Sequence, residues 1–163
     1  MSIKTLQREE LEMLLRFSNT EAQIIIRIMY ETGCTIPELA QIKAKDFQPQ
    51  IQSLKIANRN AIISTRLTQL LLEQTKNKRP EDPMIRASVP GIRKKMIELS
   101  EKTGIEFTPQ TLRYTHIANA ITNDITPMRI ALQVGLQLER LMQIYDELKP
   151  KTDDYAMFFA QKV

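Results

Sequence analysis

The chain has 163 residues, 42% of them hydrophobic and 26% charged, and its 23 Lys and Arg residues against 19 Asp and Glu residues leave a net charge of +4. This length and this proportion of hydrophobic and charged residues are typical of one folded domain. The single cysteine, Cys34, excludes an internal disulfide and a thiolate zinc site. Because His116 is the only histidine, a histidine-rich metal centre is excluded too, and we expect no cofactor. The positive charge is compatible with a nucleic-acid partner, although many proteins carry such an excess for solubility alone.

The chain shows no sign of a targeting or membrane-spanning segment. No apolar run follows the first four residues, and the apolar stretch from Ile24 to Met29 is interrupted by Arg27 and too short to cross a bilayer. We therefore expect neither a signal peptide nor a membrane partner, and we place the chain in the cytoplasm, or in the nucleoid within it.

The N-terminal part is predicted to be helical. Thr5 is suited to cap a first helix, and Thr20 a second helix from Glu21 to about Thr32, which Gly33 ends. The centre of this second helix is apolar nearly all round, which is typical of a buried core helix. Pro37 suits the first turn of a short third helix.

The hydrophobic period changes between residues 46 and 64. Two short runs rich in β-formers, 51–56 and 61–64, flank the sequence Asn58-Arg59-Asn60. Asparagine tolerates the backbone angles of a tight turn, so this pattern predicts a small β-hairpin with Arg59 at its tip.

The remainder of the chain is again predicted to be helical. Helices are expected around Leu67–Leu72, from Pro90 to Lys102, from Pro109 to about Asn123, from Pro127 to about Val134, and from about Gln137 to Leu148. The expected fold class is mainly α with a small antiparallel β-sheet, in one domain over residues 1–150 followed by a tail, 151–163. The tail carries Met157-Phe158-Phe159, an apolar tip that needs its own domain or a neighbouring molecule to pack against.

Three short segments, called the sequence boxes, carry the strongest functional signal. Thr32–Leu39 reads TGCTIPEL, Thr108–Thr115 reads TPQTLRYT, and Tyr145 follows ten residues after Gly135. No segment is specific by itself, but their order around a hairpin in a helical chain is. Over about residues 5–148 the sequence resembles the catalytic domain of tyrosine recombinases, the phage integrase family.

The resemblance implies roles for four residues. Tyr145 takes the position of the nucleophile that forms a 3′-phosphotyrosyl DNA intermediate, and Arg113 that of an arginine binding the phosphate. Gln110 takes the place of a catalytic histidine. Lys55 is matched, more loosely, to the lysine that protonates the leaving 5′ oxygen. The implied partner is double-stranded DNA.

The resemblance also implies losses. The family's first catalytic arginine falls on Thr35, and the histidine of its last box falls on Leu136. Removing one transition-state donor costs about 10²–10³ in rate, so these changes together with Gln110 predict severely weakened strand cleavage unless another residue, such as Arg27 or Arg59, moves in.

Each candidate also has a structural explanation. Tyr145 lies on an apolar stripe at helical spacing and could be plain core, while its spacing from Gly135 favours the site interpretation of its position but not of its chemistry. Arg113, at the margin of an apolar face, is of a kind that usually extends to solvent, and Lys55 is more typical of a solvent-facing hairpin lysine. His116 is expected to be a core or half-buried structural residue. Nothing beside Cys34 indicates an activated thiolate.

Further phosphate contacts are predicted outside the boxes. Arg59 is one candidate, and the cluster Arg93-Lys94-Lys95 at a helix start is another, although such a run is commonly just a solvated face. Members of the family clamp DNA with an additional N-terminal domain. If the chain is full-length, we therefore expect weaker DNA affinity.

The leading hypothesis is an integrase-like DNA-binding protein related to DNA integration and recombination, with impaired or lost cleavage. The first alternative is an active divergent recombinase acting through Tyr145. The second is a protein–protein interaction module, such as a regulator of a full-length recombinase, and the third is an unrelated helical domain. Family members exchange a C-terminal segment between protomers, so the tail is a candidate for self-association or for folding back over the site.

Overall fold

The structure is a computed structural model that describes residues 3–148 and residue 160. Within these residues the chain forms eight α-helices and three β-strands. They are, in chain order, α1 (Arg8–Arg16), α2 (Thr20–Thr32), α3 (Ile36–Ala40), β1 (Phe47–Gln48), β2 (Ser53–Ile56), β3 (Arg59–Ile62), α4 (Thr65–Thr75), α5 (Val89–Thr103), α6 (Pro109–Thr122), α7 (Pro127–Val134) and α8 (Leu138–Leu148). The predicted class, mainly α with a small antiparallel sheet, is confirmed. None of the described helices combines the length and apolar character that crossing a membrane requires.

Two helix starts differ from the prediction. Asn19, rather than Thr20, caps α2, because its side chain accepts a hydrogen bond from the Ala22 amide and asparagine is a strong N-cap. Thr5 does not cap α1, which begins at Arg8. The chain before it is held by a tertiary contact, in which the amide of the buried Leu6 donates to the Thr115 hydroxyl at 2.9 Å.

The sheet has three antiparallel strands in the order β1-β2-β3, where two strands were expected. The missed strand, β1, is only two residues long and lies between two short 3-10 turns. The hairpin turn is formed by Ala57 and Asn58, and Ile56 pairs with Arg59 across it. Arg59 therefore begins β3 instead of lying at the tip. Ala57 takes a positive φ of 51°, an angle that pattern reading assigns to asparagine or glycine.

The core divides into two clusters of buried side chains. The larger contains α2, whose Ile24, Ile28 and Met29 are fully buried, as predicted for a core helix, and it extends over the sheet and α1 to α5. The smaller joins α6, α7 and α8 through residues such as Val134 and Leu141. α6 packs on α2 and on both later helices, so it connects the two clusters.

The predicted packing of the Met157-Phe158-Phe159 tip concerns residues outside those that the structure describes.

Candidate functional site

The corner between α2 and α3, residues 32–38, is called the Gly33 corner. Gly33 ends α2 with a φ of 65°. Thr35 then caps α3: its hydroxyl accepts from the Glu38 amide at 3.2 Å, while the Glu38 carboxylate accepts from the Thr35 amide at 3.0 Å. The position that the resemblance assigns to a catalytic arginine is therefore a helix cap in this chain.

Arg113 points from α6 to this corner. Its Nε donates to the Gly33 carbonyl at 2.8 Å, and no other hydrogen bond of its guanidinium is found among the described residues. Burial lowers the pKa of Arg113, and the nearby charge of Arg59 lowers it further while Glu38 opposes the change. The guanidinium nevertheless stays charged, as arginine does throughout the physiological range.

Arg59 reaches the same corner from β3. Its Nε donates to the Gln133 carbonyl at 3.1 Å, and its terminal nitrogens donate to the Glu38 carboxylate and the Thr32 carbonyl, both at 3.2 Å. Its side chain is only 12% exposed. One guanidinium thus joins β3 to the ends of α2 and α7 and to the side of α3. Of the two arginines named as replacements, Arg59 lies here, whereas Arg27 lines a separate groove.

Glu38 was quoted in a sequence box but given no role, and it is the acidic partner at this site. One carboxylate oxygen accepts from the Thr35 amide and the other from Arg59. Burial acts to raise the pKa of Glu38, but the amide and the arginines outweigh it and hold that pKa below its ordinary value. The spacing Thr35-x-x-Glu38, a capping box, was the signal that could have found this residue.

Gln110 and Lys55 lie beside the arginines. Gln110 is exposed, one helical turn before Arg113 on α6, and its amide nitrogen donates to the Tyr114 hydroxyl at 2.7 Å. Lys55, exposed on β2, lines a small pocket together with Glu38.

Tyr145 lies on α8, which packs against α6 and α7. It is half-buried, and the neighbouring Leu141 and Ile144 are fully buried. The tyrosine is therefore on the margin of the smaller cluster. Leu136, at the start of this unit, is half-buried and packs on the same cluster.

The corner between α7 and α8, residues 133–138, is called the Gly135 corner. Gly135 ends α7 with a φ of 69°, and a Cβ at this position would collide with the Arg59 guanidinium. The Gln133 side chain bonds both backbone groups of Ile62, accepting from the amide at 3.0 Å and donating to the carbonyl at 2.7 Å. It also donates to the Glu31 carbonyl. Sequence patterns missed Gln133 because its partners are far along the chain.

The basic cluster Arg93-Lys94-Lys95 is distant from the arginines. Lys95 lies 3.7 Å from the Glu21 carboxylate, at the first turn of α2, whereas the Gly33 corner is at the other end of that helix. At 1.5 Å per residue the two ends are about 16 Å apart. The predicted contact of this cluster with DNA backbone stays a prediction.

A groove of about 900 Å³ runs between α2, β3, α6 and α7. Its walls combine Arg27, Arg66 and Arg129 with exposed apolar side chains, among them Ile62 and Leu132. No pattern in the sequence indicates this groove, because each element contributes only a few residues. Near one wall His116 packs edge-on against Tyr30, at 5.9 Å between ring centres. As expected, this histidine is half-buried, and burial lowers its pKa to about 4.

The other reactive side chain is inert. Burial raises the pKa of the Cys34 thiol to about 11, so it is protonated at neutral pH, as expected of a structural cysteine. Among residues 3–148 and 160, no cluster of three or more His, Cys, Asp or Glu side chains is arranged to hold a metal ion.

Comparison with known proteins supports the fold. No family model matches the chain. Tyrosine recombinase XerA of Saccharolobus solfataricus is 25% identical over 153 residues, which cover 90% of this chain and 53% of that protein. The chain thus spans about half the length of this curated relative.

Two solved structures share the architecture. The catalytic domain of bacteriophage HP1 integrase superposes with a TM-score of 0.73 at 18% identity, covering 97% of this chain and 95% of that one. The Tn1549 transposon integrase in complex with transposon right end DNA gives a TM-score of 0.78 at 14% identity, covering 99% and 66%. The chain therefore has the fold of a tyrosine recombinase catalytic domain, and the resemblance seen in the sequence boxes is confirmed.

Proposed function

We propose that this chain, which has the fold of a tyrosine recombinase catalytic domain, binds double-stranded DNA and has impaired or lost strand cleavage. One observation carries the proposal: Arg113 keeps a half-buried, charged guanidinium at the Gly33 corner, while Thr35 is consumed as a helix cap. The chain thus retains a group suited to a phosphodiester and lacks much of the set that would activate it. A role in DNA integration or recombination, in the cytoplasm or nucleoid, follows from the same proposal.

The relatives support the DNA partner. The matched Tn1549 integrase is in complex with transposon right end DNA, and the matched XerA protein is a tyrosine recombinase. The net charge of +4 agrees with a polyanionic partner. Within this proposal Lys55 and the cluster Arg93-Lys94-Lys95 are additional contacts to DNA backbone.

Weak cleavage follows from the chemistry of the replaced positions. Leu136 has no hydrogen-bond donor, and Gln110 already donates to the Tyr114 hydroxyl. Neither residue can release a proton as a catalytic histidine does. Each missing donor costs about 10²–10³ in rate, so cleavage is expected to be slow even if every other group is in place.

The alternative within the fold is an active, divergent recombinase. The Tyr145 phenol oxygen would attack the phosphorus, forming a 3′-phosphotyrosyl bond while the bond to the 5′ oxygen breaks and that oxygen gains a proton. Lys55 is the proposed source of that proton. The position of Tyr145 on α8, which packs on the helix of Arg113, favours keeping this candidate.

A suicide DNA substrate separates the two candidates. Its nick lets the cleaved fragment diffuse away, so even slow cleavage accumulates a covalent protein–DNA adduct, which a denaturing gel detects. If cleavage is lost, wild type gives no adduct above the Tyr145→Phe background, and if it is impaired, the adduct accumulates slowly. An adduct that forms rapidly in wild type and disappears in Tyr145→Phe would refute our proposal and establish the divergent enzyme.

Duplex DNA binding itself is tested by its salt dependence. We expect affinity to fall steeply as salt rises, and Arg113→Gln to reduce the slope by about one unit of log K per log salt, because each lost phosphate contact removes ~0.9. Arg8→Gln, an exposed arginine on α1, is the matched control. Binding that is absent, or independent of salt, would favour the protein–protein interaction module.

Self-association through the tail is a second proposal, favoured by the groove between α2, β3, α6 and α7. Its three arginines and exposed apolar walls match a segment that carries Asp153-Asp154 before Met157-Phe158-Phe159. Light scattering on a chain ending at Pro150 is the test. A smaller assembly than wild type supports exchange of the tail, and an unchanged oligomeric state contradicts it.

A further inference from the structure

We propose that Arg59 and Arg113 together bind a single phosphate group, with Arg59 supplying from β3 the guanidinium that the chain lacks at position 35. Arg59, Arg113 and Glu38 are called the two-arginine site. The inference rests on the proposed function for the source of the phosphate, the DNA backbone. It goes further by naming a residue outside the sequence boxes as the second arginine.

The charges at the site leave room for an anion. Both guanidiniums approach one carboxylate, Glu38, and Arg59 is among the charges that lower the pKa of Arg113. The nearby Cys34 thiol adds no charge, because burial raises its pKa to about 11 and it is protonated at neutral pH. Two positive charges against one negative charge leave a net charge of +1 in a half-buried place. Unbalanced charge is costly in a half-buried place, and a bound anion neutralises this excess.

The hydrogen-bond donors point the same way. An arginine has five N–H groups, and Arg59 uses three of them, on Gln133, Glu38 and Thr32. Arg113 uses one, on Gly33, within the described residues. Most donors of Arg113 and two of Arg59 thus have no protein acceptor there. Donor forks of this kind fit the oxygens of a phosphate.

The backbone at Gly135 leaves space for the Arg59 guanidinium. Gly135 is the surface against which it lies, since a Cβ there would collide with it. The bonds to Gln133 and Thr32 fix the guanidinium plane, so little rotamer freedom remains to be lost on binding. A phosphate site requires a charge that is held in one geometry. An arginine that only connected secondary-structure elements would not need a second guanidinium beside it.

Inorganic phosphate is the first probe, because it tests the site without DNA. We expect phosphate to raise the melting temperature of wild type at constant ionic strength, and Arg59→Gln or Arg113→Gln to abolish the rise. Arg8→Gln should retain it. A rise that persists in Arg59→Gln, or one that is absent from wild type, would overturn the inference.

Glu38→Gln guards against loss of fold in Arg59→Gln. Glutamine keeps the oxygen that accepts from the Thr35 amide but removes the negative charge, so the net charge of the site becomes +2. We expect a phosphate-induced rise at least twice that of wild type at the same concentration. A purely structural Arg59–Glu38 pair predicts lower stability with no gain in phosphate response, and that result would count against the site.

Duplex DNA binding separates this inference from the proposed function. A salt slope that falls by about one unit in Arg59→Gln, as in Arg113→Gln, supports both. A slope reduced only in Arg113→Gln leaves DNA binding intact and refutes the role of Arg59. Wild type that binds phosphate through both arginines but does not bind DNA would refute the proposed function alone.

Discussion

The Gly33 and Gly135 corners use the same backbone device for different ends. Both end a helix with a glycine at positive φ, 65° and 69°, and both admit a close neighbour where a Cβ would stand. At Gly33 the neighbour is the apolar side chain of Val134, 2.8 Å from the position of the missing Cβ. At Gly135 it is the charged guanidinium of Arg59. One close approach serves packing, and the other positions a cation.

The two corners also differ in which residues meet there. Gly33 lies in a sequence box and packs against Val134 of the smaller core cluster. At the Gly135 corner the neighbour is Arg59 of β3, which the boxes do not contain. Because one neighbour is a packed apolar side chain and the other is a charged one, substitutions at the two corners should behave differently.

Gly33→Ala should have the largest effect on the free energy of unfolding. The new methyl group meets the Val134 Cβ at 2.8 Å, and the positive φ adds backbone strain. Overpacking and strain cost about 1–3 kcal/mol each, so we expect a loss of about 4 kcal/mol in urea denaturation. Gly104→Ala is the matched control, since its φ is 72° but no atom lies within 4 Å of the new Cβ. A loss no larger than that of the control would contradict the packing role.

Gly135→Ala should lower the free energy of unfolding less than Gly33→Ala does, but it should weaken phosphate binding more. The obstacle is the end of a flexible side chain, which can swing away, so we expect a loss of about 2 kcal/mol, chiefly from strain and lost hydrogen bonds. The displaced Arg59 should leave phosphate unable to raise the melting temperature. If phosphate still stabilises the variant as it does wild type, the two corners do not differ in the way described.

Gln133→Ala should loosen the attachment of α7 to the rest of the fold. It removes three hydrogen bonds, to Glu31 and to both backbone groups of Ile62. At about 0.5–1 kcal/mol for each partly exposed bond, the expected loss is about 2 kcal/mol or slightly less. Gln137→Ala, an exposed glutamine just after the Gly135 corner, is the control. Hydrogen exchange should show faster opening of α7 and α8 than of α2, and equal protection of all three would contradict a localised effect.

Acid should weaken the two-arginine site by protonating Glu38. The pKa of Glu38 is held below its ordinary value in the folded chain, so its stabilising contribution is present above the unfolded pKa of 4.5 and disappears as the pH falls through the folded value. The pKa of His116, lowered by burial to about 4, adds an acid loss between pH 6.5 and 4. Comparing wild type with Glu38→Gln removes this shared background. We expect their difference in melting temperature to shrink below pH 4.5, and a constant difference would contradict the assignment.

Lys95→Ala should have the smallest effect on stability. Its ion pair with Glu21 is solvent-exposed, at 36% for each side chain, and such pairs contribute about 0–1 kcal/mol, less when exposed. We expect a change below about 0.5 kcal/mol. A duplex-binding salt slope that falls in this variant would support the predicted backbone contact, and an unchanged slope would contradict that contact for Lys95.

Much of the fold could be predicted from the sequence, because the starts and ends of its helices depend on residues that are adjacent in the chain. Gly33 ends α2 where predicted, and α7 begins at Pro127 and ends at Val134 as expected. The two-residue strand β1 was missed because so short a run has no period to detect. The placement of Arg59 at the hairpin tip was wrong because the positive φ falls on Ala57, which places the turn at Ala57-Asn58.

The candidate site was only partly accessible. The sequence boxes indicate the fold, and that fold places Arg113 and Thr35 near Gly33. Arg59, in contrast, contacts residues that lie 21 to 74 positions away along the chain. Such contacts depend on how β3, α3 and α7 assemble, and no local pattern contains that information. The roles predicted for Tyr145, Gln110 and Lys55 remain predictions.

The Gln133 amide has one more consequence. β3 is the last strand of its sheet, and a bare outer strand is a template on which another chain can add by backbone pairing. By accepting from the Ile62 amide and donating to its carbonyl, the amide imitates one residue of a neighbouring strand and occupies that template. The same side chain that fastens α7 therefore also blocks Ile62 from pairing with an added strand at that edge.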